Sequence, residues 1–204
     1  MDHIIINVGR QLGSGGHDIG RMLALDFQAK YYDRELLTRA AKESGLSERI
    51  FEKNDENRSF LRSFLHLPSG LSSASYQSSD SQDACFKFQS DAILRAADEG
   101  NCVFVGRCAD YVLRNRVDTV SIFITASIDF RISQVMAKQG FTDREVARRF
   151  IEQGESRRAS YYNYYTGKKW GYAENYDLCI DSGVLGLLDT EKFIADFIRK
   201  RFRS

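Results

Sequence analysis

Short apolar runs alternate along the chain with stretches in which apolar residues recur every three or four positions. Ile4, Ile5, Ile6 and Val8 make an almost continuous apolar run bounded by glycine, the pattern of a strand buried on both faces. A helical pattern follows, with Ile19, Met22 and Leu23 and then Leu25 to Phe27 on its inner side, before Tyr31-Tyr32 and Asp33. Val103-Phe104-Val105 and Val120 to Ile124 read as further buried strands, each leading into a helical pattern, and Leu178-Cys179-Ile180 as a last strand. Phe193, Ile194, Phe197, Ile198 and Phe202 recur at helical spacing and predict a closing amphipathic helix. Strands alternating with helices predict an α/β fold built on a parallel sheet.

Two stretches depart from this rhythm. Residues 69–83 are rich in serine and poor in apolar side chains, which predicts a mobile loop, because too little apolar surface is available there to offset the entropy of ordering. Residues 142–172 are dense in arginine, glutamate and tyrosine. They read as helical at first and then as an irregular segment holding Tyr161, Tyr162, Tyr164 and Tyr165.

The 204 residues fit one domain, with helical stretches inserted from about 34 to 98. A formal net charge of +1 provides no global field to attract nucleic acid, so any anion must be held by a local cluster. No run of about 18 apolar residues is present to span a bilayer, and Met1-Asp2-His3 lacks the basic start of a signal peptide. Cys85, Cys102, Cys108 and Cys179 show neither a CxxC pair nor histidines at ligand spacing. They read as reduced thiols of a cytoplasmic protein.

The strongest chemical signal is the segment from Gly9 to His17, which holds four glycines in nine residues between the first strand and the first helix. Glycine lets the backbone curl until its N–H groups approach an anion, and the helix that follows adds the positive end of its dipole. A phosphate is therefore expected over Gly13, Ser14, Gly15, Gly16 and His17. The Walker A pattern GxxxxGK[ST] is incomplete here. With Gly15 as its second glycine, Arg10 stands at the first glycine, Gly16 at the lysine and His17 at the hydroxyl residue. The missing charge has to come from elsewhere, and Arg10 is the nearest source.

Arg10 to Gly16 resembles the opening of the cytidylate-kinase-like proteins, and the resemblance runs through most of the chain. Tyr32-Asp33 with Arg39 is similar to the family stretch that grips the ribose and phosphate of a monophosphate. Gly106-Arg107 resembles the start of its Gly-Arg-Asp segment, although Cys108 replaces the aspartate and the next acidic residue is Asp110. Ile122 to Ser127 resembles the strand leading into an arginine-bearing helix, here with Arg131. Glu152, Glu155 and Arg158 match the spacing of the family's lid with glutamates for aspartates.

The resemblance implies a three-layer P-loop kinase fold with a helical acceptor-binding segment and a lid at about 142–172. It implies small nucleotide substrates, with ATP and Mg2+ as cofactors, and no nucleic-acid or membrane partner. By the same resemblance Arg39 and Arg107 hold the acceptor phosphate, Asp33 accepts from a sugar hydroxyl, and Asp110 joins that side. Arg158 closes over the transferring group, with Arg157 the competing choice. Phosphoryl transfer needs positioning and charge neutralisation more than covalent help, and arginine supplies both through a planar fork that stays charged.

Structural readings stand beside these. Asp33 also suits a helix cap, and Arg131 a solvated helix position. Three functions follow: a nucleoside-monophosphate kinase of pyrimidine preference, a kinase of another small acceptor, or a degenerate nucleotide-binding regulatory module.

Overall fold

Each continuous apolar run forms a strand, and all five strands are parallel. The computed structural model describes residues 3–33, 36 and 79–203. In chain order they comprise β1 (Ile5–Arg10), α1 (Gly16–Asp26), β2 (Lys30–Tyr32), α2 (Ser79–Glu99), β3 (Cys102–Val105), the single turn α3 (Ala109–Val112), β4 (Thr119–Thr125), α4 (Ile128–Gln139), α5 (Arg144–Thr166), β5 (Leu178–Asp181) and α6 (Ser182–Phe202). The sheet order is β2-β3-β1-β4-β5, with β1 central, paired through Ile5↔Cys102 on one side and Ile5↔Thr119 on the other.

Residue alternation divides the core into two layers around the sheet. Ile6 and Val8 of β1, Val103 and Val105 of β3, and Ile122 and Ile124 of β4 pack with Ile19 and Leu23 of α1 and Ile194 and Ile198 of α6. Ile5, Cys102 and Phe104 face the other way, against Phe88, Ala92, Ile93 and Ala96 of α2. A smaller cluster of Ile132, Val135, Ala147 and Ile151 joins α4 to α5. The α/β three-layer expectation therefore holds.

Two boundaries differ from the sequence reading. The tyrosine segment is helical: α5 runs unbroken through Tyr161, Tyr162, Tyr164 and Tyr165 to Thr166. The reason is tertiary. Tyr161 donates to Gln89 Oε1 at 3.2 Å, Tyr162 to Asp110 Oδ2 at 2.7 Å, and Tyr165 to Asp83 Oδ1 at 3.0 Å. The serine-rich stretch is helical from Ser79 onward, and its portion 69–78 lies outside the described residues.

Parallel strands bring their carboxyl ends to one edge of the sheet. The glycine-rich turn after β1, Asp33 after β2, Gly106-Arg107 after β3 and Ala126 after β4 all emerge there. Ligands of open α/β sheets bind at that edge, where crossovers leave in opposite directions.

Candidate active site

The turn between β1 and α1 is fastened before any side chain reaches into the cleft. The Gln11 backbone N–H donates to the Ile124 carbonyl at 3.0 Å, and the Ala126 N–H donates to Gln11 Oε1 at 3.2 Å. Gly13 and Gly15 adopt positive φ of 87° and 75°, which an L side chain resists. Gly13 also lies against α4, since a Cβ there would come within 2.7 Å of the Arg131 carbonyl oxygen. Ser14 is fully buried and donates through Oγ to the Gln11 carbonyl at 2.9 Å. Its own carbonyl accepts from Ser182 Oγ at 2.7 Å, and the same hydroxyl lies 3.1 Å from the Thr125 carbonyl. Ser14 thus braces the loop from within and does not line the cleft.

Beside this turn lies a cleft of about 400 Å3. Its walls include Gly13, Gly15, Gly16 and His17 of the turn, Gln134 and Lys138 of α4, and Phe150 and Arg158 of α5. Lys138 pairs with Asp18 across 120 residues of sequence, a contact that no local motif announces. Leu187 of α6 closes the back of the turn, where a side chain at Gly15 would strike it.

Three guanidinium groups converge on this edge. Arg10, the last residue of β1, sits beside Arg158 and Arg107, and burial together with these two neighbours depresses its guanidinium to about 9, with Tyr31 and Asp33 acting in the opposite sense. Arg158 donates through Nη1 to the Arg10 carbonyl at 3.3 Å. Burial lowers its pKa as well, against the opposing pull of Glu155. Arg107 has a positive φ of 62°, and its guanidinium carbon lies 5.5 Å from the centre of the Tyr161 ring. Among the described residues none of the three makes a carboxylate ion pair. Clustered cations in a partly desolvated cleft favour an anion of multiple charge.

The remaining predicted residues fall as follows. His17 is in the first turn of α1, its Nδ1 2.8 Å from the Tyr31 hydroxyl and 4.0 Å from Asp33 Oδ2. Burial, and then Arg10, lower its pKa, so it stays neutral more readily than a free histidine. Asp33 accepts from the Leu36 backbone N–H at 3.0 Å, as a cap does, while its second oxygen faces His17. Asp110 is half-buried against Tyr162, and burial raises its carboxyl above the usual range. Arg157 is exposed and lies off the cleft. Arg39 lies outside the described residues.

Arg131, expected as a solvated helix residue, is instead buried and ion-paired. Its Nε donates to the Ala126 carbonyl at 3.0 Å and its Nη1 to Glu155 Oε1 at 2.5 Å. The glycines of the lid segment also have fixed duties. Gly140 and Gly167 end α4 and α5 in left-handed conformation. Gly154 is buried within α5, where a Cβ would lie 2.5 Å from Leu12 Cδ1. Arg158 therefore already stands at the cleft, on a helix packed against the glycine-rich turn.

For magnesium, no group of three ligating side chains occurs among the described residues. The ion requires only one or two carboxylates when phosphate oxygens complete its shell. Asp18 is the carboxylate lining the cleft among the described residues, so the site fits a metal that arrives with a nucleotide. No helix among the described residues is long and apolar enough to cross a membrane.

Comparison with known proteins bears on the family and the fold. The model of the cytidylate kinase-like family matches residues 5–184. A crystal structure of an uncharacterized protein from Eubacterium ventriosum ATCC 27560 is similar at TM-score 0.74 and 27% identity, covering 97% of this chain and 99% of that one. A shikimate kinase from Bacteroides thetaiotaomicron shares the fold at TM-score 0.53 and 12% identity, over 96% of this chain and 98% of its own. No curated protein matches the chain. The chain belongs to the cytidylate kinase-like family.

Proposed function

We propose that this member of the cytidylate kinase-like family transfers the γ-phosphoryl group of ATP to a nucleoside monophosphate of the cytidylate kind. The observation that carries the reading is the convergence of Arg10, Arg107 and Arg158, none of them paired with a carboxylate among the described residues, on a glycine-rich turn at the carboxyl edge of the sheet. In this reading the backbone amides from Gly13 to His17 take the donor phosphates, and the start of α1 adds its dipole. Arg107 and Arg39 hold the acceptor phosphate, Asp33 accepts from a sugar hydroxyl, and Asp110 stands on the same side.

An acceptor phosphate oxygen attacks the γ-phosphorus as the bond to the β–γ bridging oxygen breaks, and ADP leaves with that electron pair. A magnesium ion arriving with the triphosphate would add charge neutralisation, and Asp18, which here pairs with Lys138, would be the carboxylate of the cleft to hold it. Arg158 meets the charge that spreads over the equatorial oxygens in the transition state, so its contribution falls on turnover more than on ground-state binding.

One observation favours the binding-module reading: position 16, where a lysine would contact the outer phosphates, is glycine. A coupled ADP-release assay across a panel of nucleoside monophosphates separates the possibilities. Turnover highest with pyrimidine monophosphates is expected. Turnover only with a non-nucleotide acceptor would move the protein to another kinase class, and nucleotide binding without transfer to any acceptor would make it a module.

A further inference from the structure

The glycine at position 16 has a steric reason on the other side of the turn. A Cβ there would lie 2.5 Å from Arg10 Cβ and 2.8 Å from Arg10 Cγ. The stem of Arg10 thus fills the volume that a residue-16 side chain would need. The same arginine meets a second glycine further out. Gly106, at φ +81°, is where an added Cβ would collide with Arg10 Nη1. Arg10 therefore runs in a trench walled by a glycine at the start of α1 and another at the end of β3. Its Nε is buried and has no hydrogen-bond partner among the described residues.

We infer that Arg10 supplies, from the end of β1, the charge on the outer phosphates that a lysine at position 16 supplies in a complete glycine-rich phosphate loop, and that the two positions exclude each other. This rests on the kinase reading for the identity of the anion as the β- and γ-phosphates of a nucleoside triphosphate. A structural arginine in this molecule looks different: Arg131 spends its Nε on a carbonyl and its Nη1 on a carboxylate. Arg10 lines the cleft with neither. Its position between Gly16 on the donor side and Arg107 on the acceptor side suits a group in transit between them. Arginine rather than lysine is the residue that burial beside two other cations leaves charged, because lysine loses its proton far more readily under desolvation.

The counterintuitive consequence is that restoring the consensus lysine harms the native protein. Four proteins test it: native, Arg10→Gly, Gly16→Lys, and Arg10→Gly/Gly16→Lys, glycine at position 10 removing both the Cβ and the Cγ that a residue-16 side chain would meet. ATP binding is followed by titration calorimetry, turnover by ADP release and folding by thermal unfolding. Each single variant is expected to bind ATP roughly 10²-fold more weakly, the scale of truncating or displacing one partner of a buried charge pair. The double variant is expected to recover at least about tenfold of that loss, a change of 1.4 kcal/mol. An Arg10→Gly variant that binds ATP as the native chain does overturns the inference. So does a double variant that unfolds at the native temperature yet binds no better than Arg10→Gly.

If lysine at 16 prevents folding, Gly16→Ala decides the matter. It should weaken ATP binding in the native background and leave it unchanged in the Arg10→Gly background, which lacks the Cβ that stands 2.5 Å from the added one; equal harm in both overturns the inference. Reciprocal behaviour in ATP binding with no monophosphate phosphorylated would uphold the exchange of roles and remove the kinase reading instead.

Discussion

Two arginine environments lie a few residues apart in space and do opposite things. At the seam of α4 and α5, Arg131 is buried with a carboxylate and a carbonyl, and its side chain retains only 9% of its exposure. At the head of β1, Arg10 is surrounded by Arg107 and Arg158 and has no carboxylate pair among the described residues. Burying a charge is costly unless it is paired. Arg131 meets that requirement within the chain and so belongs to the scaffold. In the proposed function the cleft cations meet it with a ligand instead. Arginine at an element boundary is thus not informative by itself; the partner that answers it is.

The sharpest way to break the comparison is at Arg158. Arg158→Ala should lower kcat by about 10³-fold, the lower scale for an arginine meeting transition-state charge, with KM shifting far less and thermal unfolding unchanged. Arg157→Ala, whose side chain is exposed, is the control and should be mild. Single-turnover kinetics alongside melting curves check both. Native turnover in Arg158→Ala with an inactive Arg157→Ala would reverse the assignment.

Arg131→Ala should invert that pattern. It leaves Glu155 without its partner and should cost about 3 kcal/mol of unfolding free energy, read by denaturant titration, while kcat of the folded fraction stays near native. A variant of native stability and lost turnover would place Arg131 among the functional cations and dissolve the contrast.

Arg107 tests which ligand the outer cations serve. Arg107→Ala should weaken the monophosphate by about 2 kcal/mol and leave ATP affinity nearly unchanged, as two separate binding titrations would show. Loss of ATP binding alone would remove it from the acceptor side.

The smallest effect concerns Asp110. Burial raises its carboxyl in the folded state, so the fold binds this proton more tightly than the unfolded chain does. Its contribution to stability is complete below the unfolded pKa and is lost as pH rises through the folded value. Asp110→Asn keeps an acceptor for Tyr162 and escapes that loss. Its stability relative to the native chain should therefore rise between acid and neutral pH, as denaturant titrations at a series of pH values would show. A raised KM for the acceptor in the same variant would give Asp110 its substrate role.

Much of the architecture was legible because strands buried on both faces leave uninterrupted apolar runs: Ile4 to Val8, Val103 to Val105 and Val120 to Ile124 all became strands. Tyr161 to Tyr165 misled because tyrosine is an indifferent helix former, and what holds it helical is contact with Gln89, Asp110 and Asp83 far away in sequence. The glycine-rich turn announced itself locally, and the cleft did form there. What no local pattern carries is exclusion and pairing at a distance: the Arg10 stem in front of Gly16, Lys138 with Asp18, and Arg131 with Glu155. Each depends on the sheet first bringing strand ends together. The glycine at 154 belongs with them, since the space for a side chain there is taken by Leu12 of the turn.

The Ser182 hydroxyl, which reaches the Ser14 carbonyl from 168 residues further along, also sets an order of assembly. The glycine-rich turn is among the first parts of this segment to leave the ribosome, yet the buried bond that seals its back comes from the helix made among the last. At about 5–20 residues per second that interval is roughly 8–34 seconds. Through it a nascent chain carries the turn without its brace.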